Sequence, residues 1–171
     1  LLILYARQSY KIYNNYYKLT VGDLNGVTVQ SEASIPIGTK TAYLTLEDAI
    51  KEKFDKVLCD VPCSGLGVIF KKPDIKYKST DAYKGLPSVQ YDILSNCAKY
   101  VKKGGILVYS TCTLNSMENE KNVEKFLCEN KDFSPCDFEI GTIKSSKGGY
   151  TFLPHITSTD GFFVARLIKN K

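Results

Sequence analysis

The chain has 171 residues, of which 43% are apolar and 24% charged, and this predicts about one globular domain rather than a disordered chain. Its formal net charge of +5 fits a polyanionic partner such as RNA and equally fits a solvated, lysine-rich surface. The six cysteines and one histidine lack the spacing of zinc ligands, and no apolar run is long enough to cross a membrane. We therefore expect reduced thiols, no metal, no membrane and a cytoplasmic location.

The N-terminal third gives weak and mixed signals. Residues 1–5 fit either a short strand or the start of a helix. Residues 10–17 (YKIYNNYY) favour a loop or a partly buried helix over a surface on which bases stack. Residues 1–52 show no glycine-rich loop of the kind that holds a phosphate or a cofactor. The other candidates here are two weak strands and a short helix, at 27–30, 41–45 and 46–53.

A sharper pattern begins at Phe54. Residues 54–59 are mostly apolar and predict a buried strand, and Asp60 opens the loop DVPCSGLG that carries Cys63. Proline and glycine keep this loop irregular. Four lysines then lie within eight residues and form either a solvated loop or a surface for phosphates: Lys71, Lys72, Lys76 and Lys78.

An amphipathic helix and a second buried strand come next. The helix is expected from Pro87 to the Gly104-Gly105 pair, and the strand over residues 106–110, directly before Cys112. A helical crossover makes the two flanking strands parallel and adjacent. Sites in such sheets form at the carboxyl ends of the strands, so Cys63 and Cys112 should meet in one crevice, together with Asp60. The apolar stripe of this helix is Val89, Ile93, Leu94, Cys97, Ala98 and Val101.

The C-terminal region predicts one more helix and two strands. Asn115 or Ser116 would cap the helix, with Glu118 and Glu120 in its first turn. Residues 133–147 read as a loop, and residues 148–154 and 162–168 as strands, the last buried on both faces. Three of the other four cysteines are expected to fill space in the core: Cys59, Cys97 and Cys128.

Three motifs in this order resemble the RNA (cytosine-5)-methyltransferases, and above all the bacterial RsmB/Fmu (Sun) group. They lie at 60–77, 101–123 and 159–167, and the resemblance covers about residues 53–169. It implies an α/β, Rossmann-like S-adenosylmethionine-dependent methyltransferase fold with a mostly parallel sheet and an antiparallel terminal strand. Residues 53–171 would be the C-terminal half of the catalytic domain. Residues 1–52 would be a diverged or truncated segment, since the family's glycine-rich cofactor motif is not found there.

The resemblance also implies a role for each matched residue. Cys112 matches the nucleophile, Cys63 the cysteine that helps release the product, and Asp60 an acidic residue between the cofactor and the target base. Pro62 joins Asp60 at the cofactor. The substrate would be a cytosine in small-subunit ribosomal RNA, single-stranded or flipped out of its helix. The residues expected to face this RNA are Lys71, Lys72 and Lys76.

Two other functions remain open. Without the glycine-rich loop, the chain could be a non-catalytic RNA-binding or structural remnant of such an enzyme. The thiols of Cys59, Cys63 and Cys112 could instead serve a redox or metal-binding protein, for which the distance between Cys63 and Cys112 is informative.

Overall fold

The computed structural model describes residues 2–5 and 54–170, and all structural statements concern these residues. The expectations for 10–17, 27–30, 41–45 and 46–53 lie outside them. The helices are α1 (Leu86–Ala98), α2 (Glu120–Glu129) and α3 (Pro154–Thr157), with 3-10 turns at Pro73–Tyr77 and Thr80–Tyr83. The strands are β1 (Leu2–Tyr5), β2 (Phe54–Asp60), β3 (Val101–Thr111), β4 (Phe133–Pro135), β5 (Glu139–Ile140), β6 (Ile143–Lys144), β7 (Gly149–Phe152) and β8 (Phe162–Lys169).

A mixed sheet organises the described chain. Its strand order is β1-β2-β3-β8-β4, and β7 pairs with β8 as well. Strands β1, β2 and β3 run parallel, whereas β8 runs antiparallel to β3, β4 and β7. The expected α/β fold, with parallel strands and an antiparallel terminal strand, is confirmed. The N-terminal residues 2–5, which fitted a strand or a helix, form a strand.

The core lies between this sheet and the helices α1 and α2, which also contact each other. Strand β3 buries alternate apolar side chains, among them Leu107 and Tyr109. Helix α1 contributes Leu94 and helix α2 contributes Phe126, both fully buried. Phe126 also meets Phe133 of β4 edge to face, with ring centroids 5.3 Å apart. This packing fixes where β2 and β3 end, and the candidate site lies at those ends.

The structure corrects the predicted end of α1. The helix stops at Ala98, and Val101 is the first residue of β3 rather than part of the helical stripe. Gly104 has a φ of +75° and lies within β3, where the pairing with β2 changes register. The glycine pair therefore forms a strand irregularity instead of a helix end. Val89, expected in the apolar stripe, is 36% exposed, and its neighbour Gln90 is buried instead.

Four expectations for the C-terminal region are also corrected. Asn119, not Asn115 or Ser116, precedes the first residue of α2, because a turn over 116–119 comes before the helix, and its side chain makes no capping hydrogen bond. The stretch 133–147 contains β4, β5 and β6. Pro154 begins α3 instead of ending a strand, and Cys128 is exposed rather than packed. Strand β8 is not an edge strand, as expected, because it has neighbours on both sides, but its side chains alternate between half-buried and buried, so only one face is fully buried.

None of the helices in the described part of the chain has the length and apolar character needed to cross a membrane.

Candidate active site

Two thiols meet at the carboxyl ends of β2 and β3. The parallel register places Asp60 beside Ser110, so the loops that follow the two strands leave side by side. The Cys63 Sγ lies 2.9 Å from the Cys112 Sγ, and the backbone N–H of Cys112 donates to the Cys63 Sγ at 3.2 Å. The two cysteines thus lie side by side at the ends of β2 and β3, as the sequence predicted. Cys59 and Cys97 are buried in the core, as expected.

The two thiols of this pair differ in their pKa. A hydrogen bond from Cys63 lowers the pKa of Cys112 to about 7, against the opposing effects of burial and of the nearby Asp60, and Lys72 assists the lowering. The same hydrogen bond, together with burial, raises the pKa of Cys63 well above that of an ordinary thiol. Cys112 is therefore the thiol that ionises first, and Cys63 keeps its proton.

Asp60 lies at the rim of the same crevice. Its Oδ1 accepts a hydrogen bond of 2.8 Å from the Ser110 hydroxyl, which fixes the half-buried carboxylate at the end of β2. Asp60 influences Cys112 through its charge. Pro62 contributes its carbonyl oxygen, which accepts a hydrogen bond of 2.9 Å from the Gln90 amide.

Close backbone packing holds the Cys63 loop against the Cys112 loop. The N–H of Gly67 donates to the Cys112 carbonyl at 3.0 Å, and the N–H of Gly161 donates to the Gly67 carbonyl at 2.8 Å. A Cβ atom on Gly67 would lie 2.0 Å from the Gly161 carbonyl oxygen. Glycine is therefore required at this point of the loop, because only glycine allows the three backbones to approach so closely.

A buried polar cluster lies behind the thiols, and the sequence reading missed it. Glu118 is fully buried, and its carboxylate accepts hydrogen bonds from the Ser64 N–H at 2.9 Å and from the Gln90 amide at 2.8 Å. Asn119 is also fully buried and bonds to the Thr111 hydroxyl and the Thr113 carbonyl. The sequence placed Glu118 in the first turn of a helix, and its partners from distant elements appear only in the fold.

The basic segment lies on the surface beside this crevice. Lys71, Lys72 and Lys76 are all exposed. Lys71 forms an ion pair of 2.5 Å with Asp160, whereas Lys72 lies close enough to Cys112 to affect its pKa. The sequence reading also missed Phe70, which is 97% exposed. A nearly bare aromatic ring next to lysines is a feature of surfaces that bind single-stranded nucleic acid.

The sequence matches a known family over most of its length. The profile of the family described as 16S rRNA methyltransferase RsmB/F matches residues 18–168. The match begins ahead of residue 53, where the motif resemblance begins. The chain is 39% identical over 158 residues to the probable ribosomal RNA small subunit methyltransferase B of Bacillus subtilis (strain 168), an alignment that covers 84% of this chain and 35% of that protein.

A second relative and a solved structure agree with this. The chain is 44% identical over 124 residues to the probable ribosomal RNA small subunit methyltransferase B of Synechocystis sp. (strain ATCC 27184 / PCC 6803 / Kazusa), over 69% of this chain and 28% of that protein. The crystal structure of NSun6 from Pyrococcus horikoshii with SFG superimposes with a TM-score of 0.57 at 34% identity, over 68% of this chain and 30% of that one. The chain spans about a third of the length of its curated relatives. With this match and with its two cysteines at the ends of parallel strands, the chain belongs to the RsmB/F family of 16S rRNA methyltransferases.

Proposed function

We propose that this chain carries the catalytic thiols for methylating carbon 5 of a cytosine in small-subunit ribosomal RNA, with S-adenosylmethionine as the methyl donor. The observation that carries the proposal is the pair formed by Cys63 and Cys112, with sulfurs 2.9 Å apart and the pKa of Cys112 lowered to about 7. Family membership and the relatives named as ribosomal RNA small subunit methyltransferases support the substrate.

The Cys112 thiolate supplies the nucleophile that this reaction needs. Carbon 5 of cytosine is a poor nucleophile while the ring is conjugated. When the thiolate forms a bond to carbon 6, conjugation is broken and electron density moves to carbon 5, which can then accept a methyl group. A thiol with a pKa near 7 is about half ionised at neutral pH, so the reactive form is available without a separate base.

Asp60 is placed to stabilise the ring during the attack. Its carboxyl group, oriented by Ser110, could in the protonated form donate a hydrogen bond to ring nitrogen 3, where negative charge develops. A hydrogen-bonding group held in place in this way costs little reorganisation in the transition state.

Cys63 is placed to complete the reaction. After methyl transfer, a base must remove the proton from carbon 5, and the bond between carbon 6 and the Cys112 sulfur then breaks. While Cys112 is a thiolate, it accepts a hydrogen bond from Cys63 and holds the Cys63 proton in place. Once the Cys112 sulfur is bonded to carbon, that acceptor is lost, and Cys63 becomes easier to ionise. Cys63 can then release its proton to the solvent, and the resulting thiolate can take the proton from carbon 5 as the base.

The described residues fit one wall of a site for S-adenosylmethionine. The Asp60 carboxyl group is half-buried at the end of β2, where its oxygens could accept hydrogen bonds from amino groups of the cofactor. We assign Asp60 and Pro62 to this wall. When bound, the cofactor supplies an electrophilic methyl group. The structural neighbour NSun6, solved with SFG, supports a ligand site in this fold.

The surface beside the thiols suits single-stranded RNA. Lys71, Lys72 and Lys76 could neutralise phosphates. Phe70 offers an exposed ring on which a base next to the target could stack. The target cytosine must leave its stack to reach the thiol.

Two measurements on one set of proteins test the proposal. Calorimetric titration with S-adenosylmethionine should show saturable, one-to-one binding. Transfer of a labelled methyl group to a small-subunit ribosomal RNA transcript should occur with the parent chain and be lost in Cys112→Ser. The matched control is Cys128→Ser, because Cys128 is exposed on α2 and its loss should change nothing. Methyl transfer that survives Cys112→Ser, or saturable RNA binding without cofactor binding or methylation, would contradict the proposal. The second result would favour a non-catalytic RNA-binding remnant.

A further inference from the structure

The carboxylate of Glu118 is fully buried and fully engaged. Its Oε2 accepts hydrogen bonds from the Ser64 N–H at 2.9 Å and from the Gln90 amide at 2.8 Å, and its Oε1 accepts from the Asn115 amide at 2.9 Å. The backbone carbonyl of the same residue accepts from the Tyr109 hydroxyl at 2.6 Å. Burial of a carboxylate is costly unless such donors surround it. Both oxygens of this buried carboxylate accept hydrogen bonds, and their donors identify the parts of the chain that it holds in place.

The donors around Glu118 belong to the two cysteine loops. Ser64 directly follows Cys63, and Asn115 lies in the segment that follows Cys112. Gln90 donates from the same nitrogen to Glu118 and to the Pro62 carbonyl. The backbone is therefore fixed on both sides of Cys63, and both attachments lead to one carboxylate.

A second contact runs in parallel with the first. The Ser64 and Thr113 hydroxyls lie 2.7 Å apart, and Thr113 directly follows Cys112. The residues next to each cysteine are thus bonded directly to each other, and Glu118 fastens this junction from behind. No atom of Glu118 is bonded to either sulfur in the described structure.

We propose that Glu118 is a positioning residue that holds the Cys63 loop and the Cys112 loop in the register that brings their two thiols together. The positioning role of Glu118 depends on the proposed function only where it predicts an effect on RNA methylation. Its direct consequence concerns the thiols alone. Without the carboxylate, Ser64 and Asn115 lose their common acceptor, the loops separate, and the hydrogen bond from Cys63 to Cys112 weakens.

The test measures the ionisation of Cys112 in the absence of RNA and cofactor. The rate of Cys112 alkylation by iodoacetamide is followed against pH, with the modified peptide quantified by mass spectrometry. The groups that act on this thiol are Cys63, Asp60 and Lys72, and all variants leave them in place. In Glu118→Ala, the pKa of Cys112 should rise from about 7 towards 9.0, the ordinary thiol value.

Two further variants keep the test decisive if Glu118→Ala does not fold. Glu118→Gln keeps one oxygen to accept from Ser64 and Gln90 but loses the acceptor for the Asn115 amide, so its alkylation profile should shift less than that of Glu118→Ala. Asn115→Ala removes only the donor at Oε1 and should shift the profile in the same direction as Glu118→Ala, by less. The matched control is Glu124→Ala, which removes an exposed glutamate on α2.

The outcomes separate this proposal from the proposed function. A folded Glu118→Ala with an unchanged Cys112 profile, or, where that variant does not fold, an unchanged profile in Asn115→Ala, would overturn the positioning role. A shifted profile in a chain that never methylates RNA would support the positioning role and refute the proposed function instead.

Discussion

Replacing Cys63 with alanine removes the hydrogen bond that makes Cys112 acidic. The Cys63 Sγ is 2.9 Å from the Cys112 Sγ, and its hydrogen bond is the largest cause of the lowered Cys112 pKa. In Cys63→Ala we expect this pKa to rise from about 7 towards 9.0. The thiolate fraction at pH 7 would then fall from about a half to about a hundredth.

Two effects of opposite sign determine the rate that is measured. The loss of thiolate slows the reaction of Cys112 about fiftyfold at pH 7. A thiolate of higher pKa is, however, intrinsically more nucleophilic, by about tenfold for a pKa that is two units higher. The net result at pH 7 is alkylation slower by about fivefold. Above pH 9 both forms are ionised, and the variant should react faster than the parent chain. The two pH profiles should therefore cross near about pH 8.

The assay is alkylation by iodoacetamide between pH 5 and 10, with the Cys112 peptide quantified by mass spectrometry. Cys128→Ala serves as the control, because it removes an exposed thiol and leaves the pair intact. Profiles that coincide at every pH would refute the reasoning, since Cys63 would then not be the cause of the acidity of Cys112. A uniform loss of rate without a crossing would point to lost access rather than to a changed pKa.

Three further predictions test the loop, the core and the RNA surface. Gly67→Ala should abolish methyl transfer, because the new Cβ would clash with the Gly161 carbonyl oxygen and separate the loops; wild-type kinetics would contradict this. Leu94→Ala should lower the free energy of unfolding in urea by about 2–5 kcal/mol, because this side chain is fully buried; a loss below about 1 kcal/mol would mean that the site is not closely packed. Lys72→Ala should weaken RNA binding and reduce the slope of log K against log salt concentration by about 0.7, which is more than Lys71→Ala should do, because Lys71 is already paired with Asp160. Equal slopes for the parent chain and both variants would exclude phosphate contacts by these lysines.

The sequence could predict the position of the thiols because the signals are local. An apolar run before Asp60 and another before Cys112, with a helix between them, suffice to place two strands side by side and parallel. The resemblance to a family added roles for these residues, which the methylation and alkylation experiments would test. The geometry shows that the two sulfurs are brought together, and the hydrogen bond between them lowers the pKa of Cys112.

The features that the sequence could not predict depend on distant partners. Gly104 is part of a Gly-Gly pair after a helical pattern, which is typical of a helix end. In the structure it lies within β3, and this follows from the pairing of β3 with β2, which the local sequence does not show. In the sequence, Glu118 is a glutamate in the first turn of a predicted helix, and nothing local marks it as buried. Its burial follows from Ser64 and Gln90, which lie 54 and 28 residues away along the chain. Periodicity carries no information about such contacts.

Covalent trapping of the target base tests the central claim most directly. A small-subunit ribosomal RNA transcript made with 5-fluorocytidine lacks the carbon 5 proton that must leave, so a nucleophilic thiol should remain bonded to carbon 6 once the methyl group has been transferred. With S-adenosylmethionine present, we expect a protein–RNA adduct that survives denaturing electrophoresis, maps to Cys112 and is absent in Cys112→Ser. An adduct that persists in Cys112→Ser, or RNA that binds and is methylated without any adduct, would contradict the assignment of Cys112 as the nucleophile.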